Sequence, residues 1–347
     1  MTTDHKKQSY ASPELVRLRA DIIKAAKEVK GQVGLYLKHV ESGREVAIDA
    51  DKTYPLASVF KLAVMVETYR QVEDGLISLD ERIELEPRHY CIGKGVLQYL
   101  SPGLKPTVQD LLALMILETD NTASEMLWKR IGIQRVGMLM KELGLAKMSI
   151  YIPYRESFLM SMGYGPYKAL PIPEAARKWK ALSDMGRMKA LNETEREAAG
   201  LSIEDFRSKY ESIYGFKAEK KLKTQRVYDE AFDNLGTPRE VAMLMEKILK
   251  HEVVSHKACE QMLSLLMRQR DPQAMSCLLS PDIPVALKSG VSAASLTNAG
   301  IIFVSTKSHV VLSSFFKNLG DGDTERAIRA QAEIALLVFD YFSRNPM

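Results

Sequence analysis

The chain has 347 residues, of which 46% are hydrophobic and 27% charged, close to the average of globular proteins and enough for a large core with more than one lobe. Its formal net charge of only +4 gives no basis for predicting nucleic-acid binding, and no run of roughly 18 apolar residues predicts a transmembrane helix. The three cysteines, an odd number without Cys-x-x-Cys spacing, argue against a disulfide framework and against a zinc site.

The first half of the chain combines predicted helices with one predicted hairpin. Ser12-Pro13 is typical of a helix N-terminus, and apolar residues recur on one face after it. Residues 32–49 predict a β-hairpin, because apolar residues alternate on both sides of the turn Glu41-Ser-Gly43-Arg. Further helices are predicted from Ser58 onward and at about residues 108–118, 122–131 and 133–143.

The second half ends in strands and a closing helix. Thr237-Pro238-Arg-Glu240 predicts a capped helix with proline at its first position. Strands are predicted at residues 283–288, 296–304 and 309–316, and an amphipathic helix from Thr324 to Phe342. Because the first and last strands come from opposite ends of the chain, the pattern predicts an α+β fold. Its one antiparallel sheet is flanked by helices and accompanied by an all-helical middle.

Ser58-Val-Phe-Lys61 is the segment most informative about chemistry. A polar turn runs into an apolar helical stretch there, so Ser58 is predicted to be the N-cap of the helix. Lys61 lies one turn along on the same face, where its amine reaches the hydroxyl. A serine becomes a nucleophile when a neighbouring base takes its proton, and a lysine in a dry pocket can be that base. The tetrapeptide alone is common, and a capping serine beside a solvated lysine is the alternative.

Two later segments carry further polar groups at the ends of apolar elements. Thr119-Asp120-Asn121 follows a strongly apolar helix that is predicted to begin at Thr107. The second segment, Val285-Ala-Leu-Lys288-Ser289-Gly290-Val291, is a short apolar strand that ends in a cation, a hydroxyl and a glycine. Each has an ordinary alternative, a turn between helices in the first case and an edge-strand lysine before a turn in the second.

Together and in this order, the three segments resemble the motifs of the penicillin-recognising serine hydrolases, and the chain is similar to class A β-lactamases. That family carries Ser-x-x-Lys, Ser-Asp-Asn and Lys-Thr/Ser-Gly, and only Thr119 departs from it while keeping the hydroxyl. The resemblance covers about residues 13–155 and 235–343. It implies a β-lactamase/transpeptidase-like fold and a serine hydrolase that forms a Ser-ester acyl-enzyme, with no cofactor and no metal.

The resemblance implies a catalytic or binding role for each residue of the first two motifs. Ser58 is expected to attack a carbonyl carbon, and Lys61 is expected to be the base or part of the proton path. Thr119 is expected to relay the proton to the leaving nitrogen. Asn121 is expected to hold the amide of the substrate.

The third motif is expected to bind the substrate along one strand. Lys288 and Ser289 are expected to bind a carboxylate, with Lys288 also lowering the pKa of the catalytic lysine by like-charge repulsion. Gly290 is expected to let the strand lie close to the substrate. The oxyanion hole is expected to be the backbone N–H groups of Ser58 and Val291.

The glutamate that activates the deacylating water in class A enzymes has no clear match here. The family pattern is Arg-x-Glu-x-x-Leu-Asn, whereas this chain has Tyr154-Arg155-Glu156-Ser-Phe-Leu159, with arginine and glutamate adjacent. Glu156 is the candidate general base. The alternative is a surface carboxylate paired with Arg155 or a lysine, which would make turnover of β-lactams slow.

The middle of the chain departs from the family pattern and gives three predicted domains. They are an α/β lobe, a helical lobe that carries the active-site helix, and a charged helical insertion: residues 13–58 with 236–343, 59–170, and 171–235. Apolar residues of the insertion predict one buried stripe, made of Trp179, Leu182, Met185, Phe206, Tyr210, Ile213 and Tyr214. The insertion is interpreted either as a solvated segment packed on the helical lobe or as a lid that recognises an anionic substrate or a partner.

Three functions remain open from the sequence. The first is β-lactamase-type hydrolysis of a cyclic amide, with roles in β-lactam catabolism and the response to antibiotics. The second is a related esterase or D-amino-acid peptidase, similar to penicillin-binding proteins, with weak β-lactam turnover. The third is a non-enzymatic relative that binds carboxylates. The predicted partner is a small-molecule amide or ester with a carboxylate, and no nucleic acid.

The first ten residues, Met1-Thr-Thr-Asp-His-Lys-Lys-Gln-Ser-Tyr, have no apolar core of a signal peptide. The sequence as it stands therefore predicts a cytoplasmic protein. If a signal was removed, the protein is periplasmic or secreted.

Overall fold

The computed structural model describes residues 12–215, 232–269, 275–292, 294–320 and 322–345, together with residues 226, 227, 229 and 271. The strands are β1 Gln32–His39, β2 Glu45–Ile48, β3 Tyr54–Pro55, β4 Leu235–Gly236, β5 Val285–Val291, β6 Ser295–Ser305 and β7 Ser308–Lys317. Twelve α-helices lie within the described ranges: α1 Pro13–Ala26, α2 Lys61–Glu73, α3 Val108–Leu117, α4 Asn121–Ile131, α5 Ile133–Glu142, α6 Tyr154–Ser161, α7 Ile172–Lys180, α8 Asp184–Glu197, α9 Ile203–Tyr214, α10 Pro238–Leu249, α11 His256–Leu266 and α12 Asp323–Arg344.

The main sheet joins the two ends of the chain, as the strand pattern predicts. Its five strands lie in the order β2-β1-β7-β6-β5, and every neighbouring pair is antiparallel. The first strand pairs with the last one, with Leu35 opposite Ser314. The α+β fold with one antiparallel sheet flanked by helices is therefore confirmed. Strand β5 is left at the edge of the sheet.

Each face of the sheet packs against a different set of helices, because side chains of a strand alternate between the two faces. On β1, Leu35 and Leu37 pack with Leu18 and Ile22 of α1 and with residues of α12. Tyr36, between the two leucines, packs with the cluster that contains α2, α3 and α4. One face is thus covered by the two terminal helices and the other by the helical part of the chain.

Three helices begin at the capping residues that the sequence predicts. The Ser12 side chain accepts the backbone N–H of Leu15, and Thr107 and Asp110 form a reciprocal capping box at α3. Thr237 accepts from Glu240 N at α10. Ser58 is the exception, because residues 57–60 form a 3₁₀-helix and α2 begins only at Lys61. The prediction that Ser58 is a helix N-cap is therefore wrong.

The described part of the predicted insertion is helical but does not form one buried stripe. Trp179 packs with Leu191 and Ile152, whereas Phe206 packs in a separate cluster with Ile92. Met185 of the same predicted stripe is 79% exposed. The stripe prediction is wrong because helices α7, α8 and α9 each turn their own apolar face toward neighbouring parts of the helical region. Residues 216–225 of the predicted insertion lie outside the described residues.

No helix within the described ranges combines the length and the apolar character that are needed to span a membrane.

Candidate active site

Ser58 lies in a tight 3₁₀ turn between the sheet and α2. Ala57, just before it, has a left-handed φ of +42°, which is a strained conformation for a residue with a side chain. Ser58 is only 7% exposed. The turn therefore presents the serine hydroxyl to a narrow opening, and the packing of the apolar residues 57, 59 and 60 fixes its direction.

Lys61 begins α2 one turn after Ser58, and its side chain is completely buried. Its Nζ donates to the backbone oxygen of Thr119 at 2.7 Å and to Asn121 Oδ1 at 2.8 Å. Burial lowers the pKa of Lys61 to about 7, since an ammonium group loses its hydration there, although the nearby Asp120 carboxylate acts in the opposite direction. The alternative of a solvated lysine is thus contradicted, and an appreciable fraction of this lysine is a neutral amine near pH 7.

The turn between α3 and α4 holds the second motif rigidly. Thr119 has a left-handed φ of +56°. Asp120 caps α4 by accepting Ala123 N at 2.9 Å, and its other oxygen accepts the backbone N–H groups of Val96 and Leu97. The Asn121 amide donates to Ile92 O at 2.9 Å. All three side chains are therefore oriented by hydrogen bonds before any substrate binds.

Lys288 connects the third motif to the second. It is completely buried on β5, and its Nζ donates to Thr119 Oγ1 and to the backbone oxygen of Ser289, both at 2.9 Å. Burial lowers the pKa of Lys288 well below its usual value, and the charge of Lys61 adds to this lowering. The expectation that Lys288 lowers the pKa of Lys61 needs correction, because burial is the largest cause of the low pKa of Lys61.

Ser289 and Gly290 have specific neighbours on the edge of the sheet. Ser289 Oγ donates to Asp271 Oδ2 at 2.7 Å, and its backbone N–H donates to Gln269 Oε1 at 3.1 Å. A Cβ atom at Gly290 would lie 2.7 Å from Ser58 N, a distance that Cβ atoms do not tolerate. Glycine is thus required at position 290 for the edge strand to lie against the serine turn.

The backbone N–H groups of β5 that face away from β6 lie on the open edge of the sheet. The N–H of Ser289 points away from β6, toward Gln269. Successive residues of a strand alternate in direction, so the N–H of Val291, two residues along, points to the same open edge. The edge strand meets the turn at Ser58, as the approach of Gly290 shows. The N–H of Val291 thus lies on the edge of the sheet that meets the serine turn, and its role in an oxyanion hole stays a prediction.

Tyr154 is a residue of the site that the sequence reasoning missed. Its ring packs edge-on against Phe60 at 4.9 Å between centroids and lies 5.9 Å from Lys61 Nζ. Burial raises the pKa of the Tyr154 hydroxyl well above its usual value, and a hydrogen bond with the Ser58 side chain acts in the opposite direction. Tyr154 is the first residue of α6, and no residue pattern of the sequence marks it as part of the site.

Glu156 lies on the same helix, in a buried cluster of charged side chains next to the site. Lys129 Nζ is 2.9 Å from Glu156 Oε1, and the charge of Glu156 helps to raise the pKa of the neighbouring Glu125. Glu125 in turn accepts the backbone N–H of Arg155 at 3.0 Å. Glu156 is 1% exposed, so the alternative of a surface carboxylate is wrong, although pairing with a lysine is observed. Its carboxylate thus forms an ion pair with Lys129, although neither of its oxygens accepts a hydrogen bond from the described residues.

A cavity and a group of potential metal ligands lie away from the residues of the three motifs. A cavity of about 920 Å³ lies between residues 86–88 and α8, and Arg155 lines it. Among the described residues, His251, His256 and Glu260 place potential metal-ligand atoms within 4.8 Å of one another at the start of α11. Neither feature shares a residue with the three motifs.

Comparisons with known proteins indicate the same family as the resemblance of the motifs does. The model of a family described as the β-lactamase enzyme family matches residues 17–170 and 175–342. β-Lactamase L2 of Stenotrophomonas maltophilia is 28% identical over 112 residues, which are 32% of this chain and 37% of that protein. The β-lactamase regulatory protein BlaB of Streptomyces cacaoi is 27% identical over 129 residues, 36% of this chain and 41% of that protein. The chain thus spans well under half the length of these two curated relatives.

Solved structures share the fold over almost the whole chain. PBP-A superposes with a TM-score of 0.67 at 19% identity and covers 95% of this chain and 97% of its own. A β-lactamase from Sphaerobacter thermophilus superposes with a TM-score of 0.65 at 22% identity, covering 93% and 97%. At these identities the likeness establishes the architecture.

Proposed function

The chain belongs to the β-lactamase enzyme family, and from this membership we propose that it is a serine hydrolase that opens a cyclic amide through an ester on Ser58. The observation that carries the proposal is the buried Lys61, whose pKa of about 7 makes it a base at neutral pH one turn from the serine. Family membership alone does not identify the reacting residues, so we propose the catalytic and binding roles of the site residues from their geometry.

Acylation begins with proton transfer from Ser58 Oγ to the neutral amine of Lys61. The hydroxyl oxygen then attacks the carbonyl carbon, and the backbone N–H groups of Ser58 and Val291 bind the oxyanion, a contribution worth about 3–4 kcal/mol. Thr119 donates its hydroxyl proton to the leaving nitrogen and is reprotonated by Lys288, which donates to its oxygen; Lys288 in turn regains the proton that Lys61 took from Ser58, so that no charge remains on Thr119. The carbon–nitrogen bond breaks and the ester on Ser58 remains.

Substrate binding uses the polar edge of the cleft. Asn121 holds the substrate's amide, which requires its side chain to exchange the present bonds with Lys61 and Ile92. Lys288 and Ser289 form the subsite for a substrate carboxylate, and Gly290 allows close approach. The substrate class is therefore a small amide or ester of the β-lactam type.

The second candidate function is that of a related esterase or peptidase that resembles penicillin-binding proteins. It is favoured by the pairing of Glu156 with Lys129, because a carboxylate whose charge is balanced by a lysine is a weaker base toward the water that hydrolyses the ester. In this case the acyl-enzyme forms but hydrolyses slowly. A non-enzymatic carboxylate-binding relative is disfavoured, because a buried lysine with a lowered pKa serves proton transfer better than it binds an anion.

The proposal is tested with a fluorescent penicillin and a chromogenic ester. The wild-type protein is expected to be labelled covalently and to hydrolyse the ester, whereas Ser58→Ala should lose both activities. Ser101→Ala, at an exposed serine, is the matched control and should behave as the wild type. Labelling that persists in Ser58→Ala would exclude Ser58 as the nucleophile.

A further inference from the structure

The substrate-binding edge of β5 already holds a carboxylate that belongs to the protein. Gln269 and Asp271, which follow α11 in the chain, both lie at this edge. The Gln269 amide donates to Ile116 O at 2.8 Å and accepts the Ser289 N–H at 3.1 Å. Two residues later, Asp271 Oδ2 accepts the hydroxyl proton of Ser289 at 2.7 Å.

Two residues of the third motif already use hydrogen-bond donors within the protein. A serine hydroxyl has one proton to donate, and Ser289 donates it to the Asp271 carboxylate. Lys288 directs two of its N–H groups to Thr119 Oγ1 and to the Ser289 carbonyl. A substrate carboxylate that arrives at this edge therefore finds the Ser289 hydroxyl engaged and a like charge beside it.

We propose that Asp271 is a specificity-determining residue, whose carboxylate occupies the position on Ser289 that a substrate carboxylate takes in the proposed function. The inference rests on that proposed function. A carboxylated substrate must displace Asp271 from Ser289, at the cost of a charge-assisted hydrogen bond and of repulsion between two anions. A neutral substrate binds the same cleft with Asp271 in place. Asp271 thus lowers the reactivity of carboxylated amides and esters at this subsite relative to that of their uncharged counterparts.

The test compares benzylpenicillin with its neutral methyl ester on the wild type, Asp271→Ala and Asp271→Asn. Rates of acylation are measured by intact-protein mass spectrometry. The wild type is expected to react with the methyl ester at least as fast as with benzylpenicillin. Asp271→Ala should accelerate the reaction with benzylpenicillin about tenfold, the effect of one charge-assisted hydrogen bond, and change the reaction with the ester less than about twofold. Asp271→Asn keeps the shape and removes only the charge.

The control variant is Asp282→Ala, which removes the same charge from the exposed turn before β5 and should leave both rates unchanged. A second measurement separates binding from acylation. Calorimetry gives the affinity for benzylpenicillin of Ser58→Ala and of the double variant Ser58→Ala/Asp271→Ala, neither of which can form the ester on Ser58. Tighter binding in the double variant supports the inference. Equal or weaker binding in the double variant overturns it. The inference is also overturned if the wild type reacts much faster with benzylpenicillin than with the methyl ester and Asp271→Ala leaves the ratio of these two rates unchanged. A failure of both compounds to acylate the wild type counts against the proposed function, and the calorimetric comparison still decides the role of Asp271.

Discussion

Lys61 combines complete burial with hydrogen bonds to two neutral oxygens. The two acceptors orient its nitrogen but do not compensate for lost hydration, so its pKa falls to about 7. The protonated form predominates below that pH and cannot accept the proton of Ser58. The rate of acylation is therefore expected to rise with pH and to level off above the pKa of Lys61.

This pH dependence is measured with a neutral ester substrate whose own charge does not change. The expected profile has its midpoint near 7, and Lys61→Arg should be nearly inactive at every pH, because a guanidinium group does not lose its proton. A flat wild-type profile between about pH 5.5 and about pH 8.5 would contradict the assignment of Lys61 as the base.

Gly290 allows a second prediction at the scale of single residues. An added methyl group would lie 2.7 Å from Ser58 N and 2.7 Å from Thr297 Oγ1, so strand β5 and the serine turn must separate. Gly290→Ala is expected to slow acylation at least about tenfold by displacing the oxyanion donors. Gly200→Ala, where no heavy atom lies within 4 Å of the new methyl group, is the matched control and should be active. Equal activity of both variants would show that the contact does not matter for catalysis.

Those residues of the site that belong to a recognisable motif could be predicted from the sequence. Ser58, Lys61, Thr119 and Lys288 are brought together because the start of α2, the end of α3 and the middle of β5 meet at one place. The structure places hydrogen bonds between three of them. Asp271 and Tyr154 could not be found in this way. Their positions depend on how a loop and a helix pack over the site, and neither stands in a motif.

Helix α6 shows how a shift of two residues along an element changes its chemistry. Its first residue, Tyr154, lies beside Ser58, whereas Glu156 points to Lys129 and Glu125. The sequence places arginine and glutamate adjacent, which predicted a displaced carboxylate but not the tyrosine. Burial, and then the charge of Glu156, raises the pKa of the Glu125 carboxyl group above its usual value of 4.5.

A stability prediction follows for this buried pair. As pH rises above 4.5, the unfolded chain releases the proton of Glu125 while the folded protein retains it, so the free energy of unfolding decreases. Glu125→Gln removes this ionisation and keeps an oxygen that accepts the N–H of Arg155. The variant is expected to be more stable relative to the wild type at about pH 8 than at about pH 5.

Urea unfolding at the two pH values measures the difference. Glu252→Gln, at an exposed glutamate, is the control and should show no change with pH beyond that of the wild type. A stability difference between Glu125→Gln and the wild type that is equal at both pH values would contradict a raised pKa of Glu125.

At the scale of the whole molecule, the site lies where the sheet meets the helical region. Strand β5 contributes Lys288 and Ser289, and the 3₁₀ turn before α2 contributes Ser58. The sheet could be predicted because the alternation of apolar residues is clear at both ends of the chain. The packing of helices α7 to α9 could not, because charged amphipathic helices fit several arrangements. We propose the division into an α/β lobe of residues 13–58 and 236–343, a helical lobe of residues 59–170 and an insertion of residues 171–235.

The lifetime of the acyl-enzyme depends on a base that acts on the second water. Glu156 is engaged by Lys129, and the Tyr154 hydroxyl, with its raised pKa, is not a base near neutral pH. A missing general base slows a hydrolytic step by about 10²–10⁴-fold. The ester on Ser58 is therefore expected to form and to persist for minutes or longer.

Intact-protein mass spectrometry over time with benzylpenicillin and its methyl ester, followed by peptide mapping, measures both the acylation of Ser58 and the lifetime of the ester. We expect an adduct with the full mass of the drug on the peptide that contains Ser58, persisting for minutes and missing from Ser58→Ala. An adduct that remains in Ser58→Ala, or one that maps to another peptide, would contradict acylation of Ser58. Rapid turnover by the wild type, with a stable adduct only in Glu156→Gln, would instead identify Glu156 as the deacylating base and contradict slow hydrolysis.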